Sequence, residues 1–236
     1  NSTKGDLKNM RLSDLKAGSN TKQTLLLPVA SHYPIEMTVI CGSCPGKTLV
    51  VTAGVHGCEY VGIETLNRLK KELDPIDLSG RIILLPLVNP EGFYMGSKQI
   101  IPADGQNLNR TFPGDPEGTF SSRLAKLLEE TLYPEADFLI DLHGGDVNEA
   151  LTPLVFFPTT VSDALAAKAS AAAASLSIPY RVASTAKNGL YSWAAQCGIP
   201  ALLAERGERG LWFEDEVTAC KRNIFELMAH LKIRPF

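Results

Sequence analysis

Three observations predict an α/β protein: a three-layer sandwich with a mostly parallel mixed sheet between helices. Strand-like and helix-like segments alternate along the chain. The strand-like segments, among them Thr48 to Ala53, Arg81 to Val88 and Ala201 to Ala204, are largely apolar instead of alternating with polar residues. Strands read that way when helices bury both faces of a sheet. Finally, His56, Asn89, His143 and Glu205 all fall at or just past the carboxyl end of such a segment, where ligands bind in sheets of this class.

The elements follow in order. Residues 1–20 are polar and irregular and read as a mobile lead-in. Leu25 to Val29 and Ile35 to Cys41 are short strands joined through a Ser-His-Tyr-Pro turn. Cys41-Gly-Ser-Cys-Pro-Gly46 is turn chemistry, read as a plain hairpin, before the β-branched strand Thr48 to Ala53. Past the loop Gly54 to Cys58, the residues Val61, Ile63, Leu66, Leu69 and Leu73 keep helical spacing, with Lys70, Lys71 and Glu72 on the outer face. Arg81 to Val88 is a strand broken by Asn89-Pro90. Glu91 to Thr119 has no clear period and is too long for a simple connection, which marks a functional loop.

The second half continues the alternation: helix Arg123 to Leu132, strand Asp137 to Leu142, short strand Leu154 to Phe157, and an alanine-rich helix from Ser162 to Leu176. A strand at Tyr180 to Ala183, a short helix at Leu190 to Cys197 stopped by Gly198, and the strand Ala201 to Ala204 ending at Glu205 precede a closing helix, Glu214 to Leu231. No internal repeat or linker divides the chain, so residues 1–236 are expected to form a single domain.

Composition excludes several function classes. The 236 residues are 44% hydrophobic and 21% charged, the balance of a globular chain with a sizeable core. A net charge of −3 gives no footprint for nucleic acid or an anionic membrane. No run approaches the roughly 18 apolar residues of a membrane span. Five scattered cysteines are odd in number and argue against a disulfide framework, so a reducing, cytoplasmic setting is expected. Cys41-x-x-Cys44 sits in a turn and not at a helix start, which favours the plain turn over a redox pair.

Chemistry concentrates in two places. His56 and Glu59 lie three apart in the turn from a strand to a helix, and His143 ends another strand, although the chain has only four histidines. Two imidazoles and one carboxylate are the ligand set of a catalytic zinc with an open position. Taken alone, Glu59 could equally cap the helix above a packed histidine. Asp141, two residues before His143 and so on the same side of a strand, could orient an imidazole ligand or belong to a buried ion pair.

The motifs Gly54-Val-His-Gly-Cys-Glu59, Asn107-Leu-Asn-Arg-Thr-Phe-Pro-Gly114, Asp141-Leu-His-Gly-Gly145 and Ala204-Glu205-Arg-Gly207 together resemble the succinylglutamate desuccinylase/aspartoacylase family of the zinc carboxypeptidase clan. The resemblance spans roughly Thr48 to Gly210 in the same order. It implies a zinc carboxypeptidase-like fold with one Zn2+ held by His56, Glu59 and His143. It also implies hydrolysis of the amide bond of a carboxylate-bearing N-acyl amino acid or related small amide. The family's catalytic carboxylate falls on Glu205, and its carboxylate-gripping Asn-Arg pair falls on Asn109 and Arg110. The residue types suit those roles: a carboxylate can take a proton from water and return it to the leaving amine. A guanidinium fork matches a substrate carboxylate. Glu208 is the nearby rival to Glu205.

Three departures stand out. Family members carry an arginine upstream of the Leu-Asn-Arg motif, where this chain reads Lys98-Gln-Ile-Ile-Pro-Ala-Asp-Gly105 and Lys98 is the only base. The family's C-terminal β domain is expected to be absent. No tyrosine near Glu205 matches the one some clan members use; Tyr191 is the nearest and is expected to pack with Trp193. Trp212-Phe213 could line the pocket or anchor the core. The reading is therefore a zinc-dependent amidohydrolase or deacylase acting on a small carboxylate, with a homo-oligomer left open and without nucleic-acid or membrane partners. The alternatives are a metallocarboxypeptidase on short peptides and a binding protein that keeps the fold without turnover.

Overall fold

The structure, a computed structural model, describes residues 11–29 and 31–234. Eight strands form one sheet: β1 (Thr21–Leu26), β2 (Glu36–Cys41), β3 (Cys44–Ala53), β4 (Ser79–Leu85), β5 (Phe138–His143), β6 (Leu154–Pro158), β7 (Tyr180–Ser184) and β8 (Ala201–Glu205). Their spatial order is β1-β2-β4-β3-β5-β8-β6-β7. The centre, β4-β3-β5-β8, is parallel, as is β6-β7. Antiparallel pairs join β1 to β2, β2 to β4 and β6 to β8. The sheet is thus the mixed, parallel-centred one expected from the sequence.

Helices cover both faces. On one side α1 (Tyr60–Glu72), α4 (Asp163–Ala174) and α6 (Glu214–His230) pack on Val51, Ile82, Ile140 and Leu202. On the other, α3 (Phe120–Leu132) and α5 (Leu190–Gln196) pack on Val50, Ile83, Leu139 and Leu203. Successive residues of a strand face opposite sides, so both parities of the central strands are apolar. Full burial of one such side chain contributes roughly 1.5–3 kcal/mol. The alanines of α4 serve this packing, since Ala169, Ala172 and Ala173 put a small-residue face against the sheet. None of the described helices is long and apolar enough to cross a membrane.

The structure differs from the sequence reading at the N-terminal edge. The first strand is Thr21–Leu26, not Leu25 to Val29, and it is half exposed throughout, so it carries no apolar run to recognise. Residues 11–20 are not a free lead-in: Leu12 and Leu15 are buried, and their carbonyls accept from the buried Arg81 guanidinium at 3.4 and 2.8 Å. The first ten residues of that expected lead-in lie outside the described residues. The Cys41 to Gly46 turn is not a hairpin, because β4 lies between β2 and β3. The functional loop also has more order than expected, with a short helix α2 (Pro90–Tyr94) and a 3-10 turn at Leu108–Arg110.

Candidate active site

Strand register brings the site together. Thr52 lies opposite Asp141 across β3 and β5, and His143 lies opposite Glu205 across β5 and β8. By the two-residue period, Asp141 and His143 share the face of Leu139, while Glu205 shares that of Leu203. Those two leucines belong to the same apolar cluster, so these polar groups project to one side.

His56 and Glu59 come from the turn between β3 and α1. Gly57 permits that turn to lie against the start of α2: a Cβ there would come within 2.6 Å of the Gly92 carbonyl carbon. Glu59 then bridges two imidazoles, with Oε1 at 2.6 Å from His56 Nδ1 and Oε2 at 2.9 Å from His143 Nδ1. The Gly144 N–H donates to the same Oε2 at 3.2 Å. Each ring is fixed from behind. His56 Nε2 donates to Asn107 Oδ1 at 3.1 Å, and His143 Nε2 donates to Asp141 Oδ2 at 2.8 Å. The other oxygen of Asp141 accepts from the Thr52 hydroxyl at 2.6 Å. Asp141 is therefore the carboxylate that orients His143, one of the two roles the sequence left open.

The electrostatics follow from this burial. Burial alone would raise the Glu59 pKa, but the two imidazoles hold it down at about 2. Burial opposes charge on His143, yet Asp141 and Glu59 raise its pKa well above the usual value. The two carboxylates thus favour positive charge at His143. His56, Glu59 and His143 are all buried and offer ligand atoms within 4.8 Å of one another. Two imidazole nitrogens and a carboxylate, backed by Asn107 and Asp141, fit a zinc-type cation.

A cavity of about 310 Å3 opens beside this cluster. Its wall includes His56, Glu59 and His143 together with Glu205, Asn109 and Arg110, so all six residues proposed from sequence meet there. Burial lifts the Glu205 carboxyl to about 7, helped by the charges of Glu59, Asp141 and Glu149 and opposed by His143. Asn109 is buried and its Oδ1 accepts from the Leu190 N–H at 3.0 Å, which ties it to the start of α5. Arg110 is exposed, and among the described residues its guanidinium makes one hydrogen bond, from Nη1 to the Asn109 carbonyl at 2.8 Å.

Other expectations are redirected. Asn89 is a helix cap: its Oδ1 accepts from Gly92 N–H at 2.9 Å and its amide donates to the Ile100 carbonyl at 3.1 Å. Lys98 sits 3.6 Å from Asp146, and it is Gln99 that reaches the cavity wall. Glu208 is outside that wall, its carboxylate accepting from the Leu151 N–H at 3.1 Å. Trp212 and Phe213 neither line this cavity nor anchor the core; both are exposed, and Arg68 lies 5.4 Å over the Trp212 ring. Tyr191, expected only to pack, is a buried part of the cavity wall. Sequence reasoning assigned no role to Asn107, Gln99 or Glu149. Asn107 lies inside a quoted motif, whereas nothing local marks the other two.

Comparison with known proteins identifies the family. Residues 45–231 match the succinylglutamate desuccinylase/aspartoacylase catalytic domain family. The N-alpha-acetyl-L-2,4-diaminobutyric acid deacetylase of Halomonas elongata is 41% identical over 100 residues, which are 42% of this chain and 29% of that protein. A succinylglutamate desuccinylase/aspartoacylase from Rhodobacter sphaeroides superposes with a TM-score of 0.82 at 31% identity, over 91% of this chain and 66% of the other. The product-bound ectoine utilization protein of Ruegeria pomeroyi gives 0.81 at 28% identity, over 91% and 68%. The chain thus spans just under two thirds of the first of these structures and under a third of the deacetylase. With the family match covering residues 45–231, which include every residue of the cluster, the chain belongs to the succinylglutamate desuccinylase/aspartoacylase family.

Proposed function

We propose that the protein is a zinc-dependent deacylase that hydrolyses the amide bond of a carboxylate-bearing N-acyl amino acid or related small amide. The observation that carries this reading is the meeting, in one cavity, of the His56–Glu59–His143 cluster, the Glu205 carboxylate and the Arg110 guanidinium. The named substrate of the Halomonas relative, an N-acetylated diamino acid, is of the same general class.

Zinc held by His56, Glu59 and His143 would supply Lewis-acid chemistry, acidifying water and polarising an amide carbonyl. Arg110 pairs its guanidinium with the substrate carboxylate, and Asn109 stiffens the segment that carries it by its bond to Leu190. Glu205 takes a proton from water as the oxygen bonds to the carbonyl carbon. It returns that proton to the nitrogen as the C–N bond breaks, leaving a free acid and an amine. Burial keeps Glu205 more basic than an exposed carboxylate, which suits a group that must both accept and release a proton near neutral pH.

A panel of N-acyl amino acids and short peptides, assayed with zinc-loaded and chelator-treated protein, tests the reading. Turnover of N-acyl amino acids that disappears on chelation and returns with zinc is expected. Preference for peptides would make the protein a carboxypeptidase, and metal-loaded protein without turnover would make it a binding protein.

A further inference from the structure

Glu149 is an acid in the cavity wall that neither metal binding nor proton transfer employs. It lies in the loop after β5 and is held in place from three sides. Its N–H donates to the Asp146 carbonyl at 2.9 Å, and its carbonyl accepts from Arg209 N–H at 2.9 Å. Its Oε2 accepts from the Asp146 N–H at 3.0 Å. The neighbouring acids have cationic partners: Asp146 lies 3.6 Å from Lys98, and Glu208 lies 3.6 Å from Arg209. Glu149 has none among the described residues, and one of its oxygens accepts no protein hydrogen bond there.

The wall therefore presents two opposite charges to a small molecule beyond the catalytic cluster. Arg110, from the 3-10 turn, calls for an anion; Glu149, from a different loop, calls for a cation. Glu149 is exposed, but its hydrogen bonds fix it in the cavity wall, where a carboxylate attracts an ammonium, gains nothing from an alkyl group and repels a second carboxylate. We infer that Glu149 is a specificity residue that selects N-acyl amino acids with a positively charged side chain, Arg110 taking the α-carboxylate and Glu149 the side-chain ammonium. The inference rests on the deacylase reading above.

Three probes with the same two-methylene stem separate the possibilities: N-α-acetyl-L-2,4-diaminobutyrate, N-acetyl-L-norvaline and N-acetyl-L-glutamate, which end in an ammonium, a methyl and a carboxylate. With zinc-loaded full chain, kcat/KM should favour the ammonium probe over the methyl probe by about two- to fivefold, the strength of one solvent-exposed ion pair. Glu149→Gln keeps the acceptor for the Asp146 N–H and should erase that preference. Its loss should be larger on the ammonium probe than on the methyl probe, which carries only the effect of the Glu149 charge on Glu205. Glu149→Lys should raise the glutamate probe relative to the ammonium one. Equal wild-type rates on all three probes, or an equal loss on all three in Glu149→Gln, would overturn the assignment. Zinc-loaded wild type inert toward all three, and toward other N-acyl amino acids, would defeat the deacylase reading and this inference with it.

Discussion

Asp141→Asn is the sharpest probe of how the fold prepares the metal cluster. Asp141 is fully buried, with one oxygen accepting from Thr52 at 2.6 Å and the other from His143 Nε2 at 2.8 Å. That second bond keeps a proton on Nε2 and leaves Nδ1, 2.9 Å from Glu59, as the nitrogen that would hold zinc. Asparagine keeps the shape but has one acceptor and one donor end. With its oxygen toward His143, the ring loses the anion that makes Nδ1 basic. With its NH2 toward His143, Nε2 must accept, the proton moves to Nδ1, and the ligand lone pair is lost. Either way zinc affinity should fall about 10- to 100-fold, or roughly 1.4–2.7 kcal/mol. Competition against a chromophoric chelator reads this directly. His143→Ala, which removes the ligand itself, should lose the stoichiometric zinc altogether. Zinc affinity of Asp141→Asn within twofold of wild type, with folding intact, would refute the claim that Asp141 orients His143.

Further outcomes can be checked in parallel. Arg110→Lys replaces a planar fork with a point charge and should lower kcat/KM about tenfold on a carboxylate-bearing N-acyl amino acid while sparing its uncharged amide analogue; equal losses would make Arg110 structural. Gly57→Ala drives a methyl into the backbone of Gly92 and Phe93, so a loss of about 1–3 kcal/mol is expected, visible as a lower Tm together with weaker zinc binding; an unchanged Tm would show that the turn has slack. Burial pushes the Asp104 pKa up, but hydrogen bonds from Ser121 and Gln106 win and hold it below the usual value. A lowered folded pKa contributes stability that is present above the unfolded value of about 4 and lost as pH falls through the folded one. Denaturation should therefore find Asp104→Asn less stable than wild type at pH 7, with the gap closing in acid; a pH-independent gap would contradict that origin.

What the sequence made legible was whatever had a local pattern. His56 and Glu59 share one turn, and His143 ends an apolar strand with Asp141 two residues before it, so period and spacing alone group them. The central strands were readable because helices cover both faces, leaving them apolar throughout. β1 was misplaced because an edge strand half open to solvent has no such run. Asn89 follows an apolar run in the sequence, but β4 ends at Leu85 and Asn89 caps α2, satisfying a backbone donor at the start of that helix. Gln99, Glu149 and Tyr191 were missed for another reason: they come from two loops and a short helix, and only the folded chain makes them neighbours.

The most direct test of the central claim is the turnover of Glu205→Gln measured beside its zinc content. Glu205 lies on its own strand next to His143, outside the His56–Glu59–His143 cluster, so glutamine keeps the shape and leaves the ligands untouched. The account predicts a loss in kcat on the order of a hundredfold or more, with zinc content and Tm near those of wild type. Substantial activity in that variant would take proton transfer away from Glu205, and loss of zinc would make Glu205 a ligand; either result contradicts the mechanism.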